Sequence, residues 1–177
     1  KSRGNAVDPW YIVEKYGADA TRWYFYTVNQ PGDPKLFVEK DVDQALKKFI
    51  LTLWNSYLFF QTYQRGKGDV RHRMSNNILD KWVVSRLNEL ILEATEKLDK
   101  YDVTGAARAI ETFTVDNLSQ WYIRRSRLRF HPAAEPSSLR GKKTKKDFED
   151  ASQTLGFALL TLSKLTAPFI PFLSEHI

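Results

Sequence analysis

Asn77-Ile78-Leu79-Asp80-Lys81-Trp82-Val83-Val84-Ser85-Arg86-Leu87-Asn88-Glu89-Leu90-Ile91-Leu92-Glu93-Ala94 opens a run that reads through to Tyr101. Leu79, Val83, Leu87, Leu90, Ile91, Ala94 and Leu98 recur at intervals of three and four, which places them on one face of an α-helix. The reading is one long amphipathic helix over about 77–101. Nothing of comparable length anywhere in the chain alternates with the period of two that a strand needs.

The same period extends outward on both sides. Upstream, Asp41-Val42-Asp43-Gln44 has the form of a capping box opening a second long helix to about Gln64. Its core stripe is Leu46, Phe49, Ile50, Leu53, Tyr57 and Phe60, and Trp54, Phe59 and Tyr63 read as packing residues. Before it, Asp8-Pro9 is an N-cap followed by proline in the first turn, with Gly17 ending that short helix. Asp19 is expected to cap a second short helix through about Thr27, and 29–34 is a loop. Downstream, Asp102 or Thr104 caps a helix from about Gly105 to Phe130, buried along Ala106, Ala107, Ile110, Phe113 and Leu118. Asp116-Asn117 marks a candidate break in it. Residues 131–143 read as a basic loop. Thr144-x-x-Asp147 then caps a last long helix carrying Phe148, Ala151, Leu155, Leu159, Leu162 and Leu165, ended or kinked by Pro168 and Pro171. The fold class is all-α: a bundle of four or more long helices over 37–177, preceded by two short helices within 1–36.

Composition narrows the function. Apolar residues make up 42% and aromatics 14% of the 177 residues, enough for a substantial core. The net charge of +6 favours a polyanionic partner. That charge is concentrated: nine lysines or arginines and a single acid, Glu135, fall between Trp121 and Lys146. There is no cysteine, hence no disulfide and no thiolate metal site, in keeping with a reducing, cytoplasmic setting. The longest uncharged run, Phe49 to Gln64, is too short and too polar to span a bilayer.

The densest part of the basic region is Leu118-Ser119-Gln120-Trp121-Tyr122-Ile123-Arg124-Arg125-Ser126-Arg127-Leu128-Arg129-Phe130. At roughly 100° per residue, Leu118, Trp121, Tyr122, Arg125 and Arg129 share one broad helical face, with Arg124 and Arg127 fanning away from it. Guanidinium forks suit phosphate oxygens, and guanidinium planes and aromatic rings suit unstacked bases. Trp121, Tyr122, Arg124, Arg125, Arg127 and Arg129 are therefore the candidate RNA-contacting residues. Arg125 and Arg129, one turn apart, form the leading pair, and Trp121 is the member best suited to the core. The competing reading is a solvated basic face. No catalytic constellation accompanies the segment: His72, His131 and His176 lack metal-ligand spacing, and there is neither a glycine-rich phosphate loop nor a nucleophile elbow.

Lys1-Ser2-Arg3-Gly4-Asn5, then Asp8-Pro9 and Tyr16-Gly17-Ala18-Asp19-Ala20-Thr21-Arg22, resembles class I aminoacyl-tRNA synthetases just after their Lys-Met-Ser-Lys-Ser loop. Leu53-Trp54-Asn55 resembles the first long helix of their anticodon-binding bundle. Asp8-Pro9-Trp10, Asn117-Leu118-Ser119, the 121–127 segment and Thr166-Ala167-Pro168-Phe169-Ile170-Pro171-Phe172-Leu173 are similar to the isoleucyl subfamily. His131 departs from that pattern, which often has an aromatic there. The resemblance implies a monomeric parent enzyme that joins isoleucine to its tRNA through an ATP- and Mg2+-dependent adenylate. Lys1 and Ser2 would approach the ATP phosphates in that parent. It further implies that the catalytic core and editing domain precede Lys1, so that this stretch holds no cofactor or metal and is inactive alone. Two other readings stand beside it: a basic helical scaffold docking an acidic protein, and the same module from a valyl- or leucyl-tRNA synthetase.

Overall fold

The computed structural model describes residues 7–64, 75–130 and 145–177. Lys1 and Ser2, residues 65–74 and the whole basic loop through Thr144, including the Thr144 cap, lie outside the described residues. Helix α1 (Pro9–Tyr16) begins where the Asp8 carboxylate accepts from the Trp10 amide at 3.0 Å, with proline leading the helix. It ends at Gly17, whose φ of 87° suits a residue without a Cβ. Helix α2 (Ala18–Thr27) restarts from that same glycine with no side-chain cap. Asp19 therefore does not cap α2 as expected. Its Oδ2 instead accepts the Leu173 amide at 2.7 Å and supplies the first turn of the last helix, 154 residues away.

Helix α3 (Glu39–Ala45) passes through a π-helical segment, Leu46–Ile50, into α4 (Leu51–Tyr63). The expected Asp41–Gln44 capping box does not form, because the helix already begins at Glu39, with Val38 preceding it and no side-chain cap. Helix α5 (Ile78–Asp99) follows the predicted stripe. Asn77 caps it by accepting the Leu79 amide at 2.9 Å, and Val83, Leu87, Leu90 and Ala94 are buried. Asp102 caps α6 (Val103–Thr112) through the Gly105 amide at 2.9 Å. That helix runs without interruption through a second π-helical segment, Phe113–Ile123, into α7 (Arg124–Phe130), so Asp116-Asn117 is no break. Helix α8 (Lys145–Thr166) buries Ala151, Leu155, Leu159 and Leu162, each buried leucine contributing about 1.5–3 kcal/mol. The prolines end it and begin α9 (Pro171–His176).

Helices α4 to α8 enclose one core, in which Phe49, Leu53, Leu87, Ile110, Leu118, Tyr122, Phe130, Leu155 and Phe169 meet. Trp23 of α2 belongs to the same core. Its ring stacks on Phe49 with centroids 3.7 Å apart and meets Phe169 edge-on, while its indole N–H donates to Glu111 at 3.0 Å. Ile12, Tyr24 and Val42 form a second, smaller cluster. Arg22 holds the turn after α8, donating from Nε to the Phe169 carbonyl at 2.8 Å and from Nη2 to the Pro168 carbonyl at 3.0 Å. No strand occurs among the described residues, and none of their helices is long and apolar enough to cross a membrane.

Candidate nucleic-acid interface

The basic segment is shaped by the wide turns that precede it. Buried positions run Phe113, Leu118, Tyr122, Ser126 and Phe130: one step of five, then three of four. In a regular α-helix each step of four drifts by about 40°, so such a stripe would wander off the core. The i→i+5 turns of 113–123 hold more residues each and delay that drift, keeping Tyr122 and Phe130 inward. Trp121 is carried outward as a result. The expectation that Trp121 joins the core while Tyr122 faces a ligand is reversed: Trp121 is 43% exposed and Tyr122 is 0% exposed.

Arg129 is the second correction. Its side chain is 9% exposed and forms a bidentate pair with Asp80, Nη1 to Oδ1 at 2.6 Å and Nη2 to Oδ2 at 2.8 Å. The same Arg129 donates from Nε to Asp147 Oδ1 at 2.8 Å. Tyr122 donates its hydroxyl to Asp80 Oδ1 at 2.7 Å, and Ser75 donates to Asp80 Oδ2 at 2.6 Å. One buried carboxylate thus accepts four bonds and joins α5 to α7, while Asp147 brings in α8. Arg129 and Tyr122 are internal fasteners, and neither presents itself to a partner. Asp80 was not singled out in the sequence. A signal was present, since it falls three residues before Val83, in phase with the apolar stripe of α5.

Burial works against the Asp80 charge, but hydrogen bonds from Arg129, Ser75 and Tyr122, with the guanidinium charge, outweigh it and hold its pKa below the ordinary carboxylate value. Burial first, then the Asp80 charge, push the Tyr122 phenol well above its usual value. The sign for stability follows. An acid whose pKa is lower in the folded state stabilises the fold at all pH values above its unfolded pKa of about 3.9. That contribution is lost as pH falls through the folded value. The urea midpoint is therefore expected to drop more between pH 5 and pH 2.5 in the parent chain than in Asp80→Asn; parallel losses would contradict this assignment.

What remains outside is Trp121, Arg124, Arg125 and Arg127. The three arginines are exposed, and among the described residues no ion pair with a carboxylate engages them. The Arg125 guanidinium carbon lies 3.7 Å from the Trp121 ring centroid, a cation–π contact worth about 0.5–1 kcal/mol at an exposed site. Trp82 of α5, half-buried, comes within 6.1 Å of the Trp121 ring at 51°. Trp82 also escaped the sequence reading, because it lies on α5 and meets the basic segment only through the fold. Lys146 at the start of α8 is exposed, while 140–144 of the charge run lie outside the described residues. No cluster of His, Asp or Glu among the described residues could hold a metal ion.

Comparison with known proteins adds three findings. The family profile of the anticodon-binding domain of tRNA ligases matches residues 80–177, beginning at the buried Asp80. Isoleucine–tRNA ligases are similar across the chain: 41% identity with that of Clostridium tetani over 100% of this chain, and 40% with that of Thermus thermophilus over 99%. The chain spans 16% of the length of each of these relatives. Among solved structures, LeuRS of Agrobacterium radiobacter K84, in a ternary complex with tRNA and LeuAMS, superposes with a TM-score of 0.74 at 20% identity. That match covers 99% of this chain and 19% of the other, and shows a shared fold.

Proposed function

The chain belongs to the anticodon-binding domain family of tRNA ligases, and on that premise we propose that it grips the unpaired anticodon loop of an isoleucine tRNA through Trp121, Arg124, Arg125 and Arg127. The observation that carries this is a pair of opposites on one helix. Arg129 is locked inward by two carboxylates, whereas its three neighbours stand outward beside an exposed indole with no acid among the described residues to satisfy them. Guanidinium groups in that state bind phosphate oxygens, and an indole offers a base about 1–3 kcal/mol of stacking.

In this proposal the longer protein is an isoleucine–tRNA ligase that forms an isoleucyl-adenylate from ATP and transfers it to tRNA. Residues 1–36 link its catalytic part to the bundle over 37–177, and Lys1 and Ser2 stand near the ATP phosphates. The 40–41% identity to isoleucine–tRNA ligases favours isoleucine over valine or leucine as the amino acid.

Reversing two outward charges tests the assignment. Arg124→Glu combined with Arg127→Glu is expected to weaken tRNA binding at least tenfold at about 0.1 M salt. Two lost phosphate contacts should also flatten the slope of log affinity against log salt by about 1.4–1.8. Far-ultraviolet circular dichroism should be unchanged, since both side chains are solvent-exposed. An unaltered slope would remove these arginines from the interface. Competition by polyglutamate as strong as by tRNA would favour an acidic protein partner instead.

A further inference from the structure

We propose that Arg125 is a displaceable lid on Trp121: its guanidinium occupies the place of an unpaired nucleobase in the free protein and yields that place when RNA binds. The proposal rests on the RNA-binding reading above and deepens it to the kind of group recognised at one ring. The planar guanidinium carbon sits 3.7 Å from the Trp121 ring centroid, at the separation a stacked base would adopt. Trp82 flanks the ring at 6.1 Å and 51°, too tilted to stack on it, so of these two neighbours the guanidinium is the one that takes the position of a stacked base. Among the described residues nothing else holds Arg125. It is exposed and has no ion pair among the described residues, in contrast with Arg129, which two carboxylates pin four residues further on.

Displacement is a favourable exchange when the incoming group is an unpaired nucleotide. The ring gives up a cation and gains a base, while the released guanidinium gains the phosphate that arrives with that base. A duplex cannot make the exchange, since its bases stay stacked on one another. The lid therefore discriminates single-stranded from paired RNA, and it occupies one face of the indole until RNA arrives.

The two roles of Arg125 separate by salt, because phosphate attraction is screened and stacking is not. The 177-residue chain and its Arg125→Ala and Trp121→Ala variants would be titrated with an RNA hairpin carrying an unpaired loop, and with the fully paired duplex of the same stem. At about 0.05 M salt, Arg125→Ala should bind the hairpin more weakly, having lost a phosphate contact. At about 0.5 M salt the order should invert, with Arg125→Ala binding about two- to fivefold more tightly because the ring is already bare. Trp121→Ala should lose the preference for hairpin over duplex at both salts. Weaker or equal hairpin binding by Arg125→Ala at high salt would overturn the lid. If the parent chain and Trp121→Ala bind hairpin and duplex alike, the RNA-loop reading itself fails, a result distinct from failure of the lid.

Discussion

Replacing Asp80 with alanine is expected to lower the unfolding free energy by about 3–5 kcal/mol, the usual cost of stranding one partner of a buried ion pair. The substitution leaves the Arg129 guanidinium, 9% exposed, with Asp147 alone. It also removes the principal acceptor of the Tyr122 hydroxyl, leaving it the more distant Ala151 carbonyl at 3.4 Å. For a chain of this size the loss corresponds to roughly 6–20 °C in Tm. The penalty arises from the uncompensated charge and not from the absence of the pair, so a double replacement separates the two. Asp80→Leu with Arg129→Met removes both charges, and should recover most of the lost stability while leaving Trp121, Arg124, Arg125 and Arg127 outside to bind RNA. Urea unfolding of the three chains at neutral pH checks this. A single mutant within about 1 kcal/mol of the parent would show that the network contributes little.

Trp23→Ala should cost a comparable amount, about 3–5 kcal/mol, for a different reason. Trp23 is fully buried between Phe49 and Phe169, at the point where α2 enters the main core. Truncation opens a cavity against a stacked ring and takes a donor from Glu111, whose other oxygen holds Lys48 at 2.5 Å. Trp23→Phe keeps a ring in place and should lose far less. Denaturant midpoints of both variants decide the matter, and equal losses would mean that the ring's volume is not what holds α2 to the bundle.

The long stripes were legible because they obey the regular helical period: Val83, Leu87, Leu90 and Ala94 on α5, and Ala151, Leu155 and Leu159 on α8, are buried as their spacing predicts. Local chemistry was also readable, since Asp8 and Asp102 cap the helices that follow them through their own side chains. The misreadings have physical causes. Tyr122 and Trp121 exchanged places because at the α period both fall on the Leu118 face, and only the wider turns of 113–123 separate them, with Tyr122 inward and Trp121 outward. Arg129 looked like its neighbours in sequence, but its carboxylate partners lie 49 and 18 residues away, and only the fold brings them together. Asp19 carries a capping side chain whose target helix is at the other end of the chain.

The contacts that α2 makes with the far end of the chain bear on how the molecule is made. Arg22 receives its carbonyl partner 147 residues after itself, so on a ribosome adding about 5–20 residues per second the two are separated by roughly 7–30 s. Throughout that interval the Trp23 indole lacks Phe169, and α2 is a nascent helix with part of its destination unsynthesised. The emerging polypeptide completes these contacts late, when the closing turn leaves the exit tunnel.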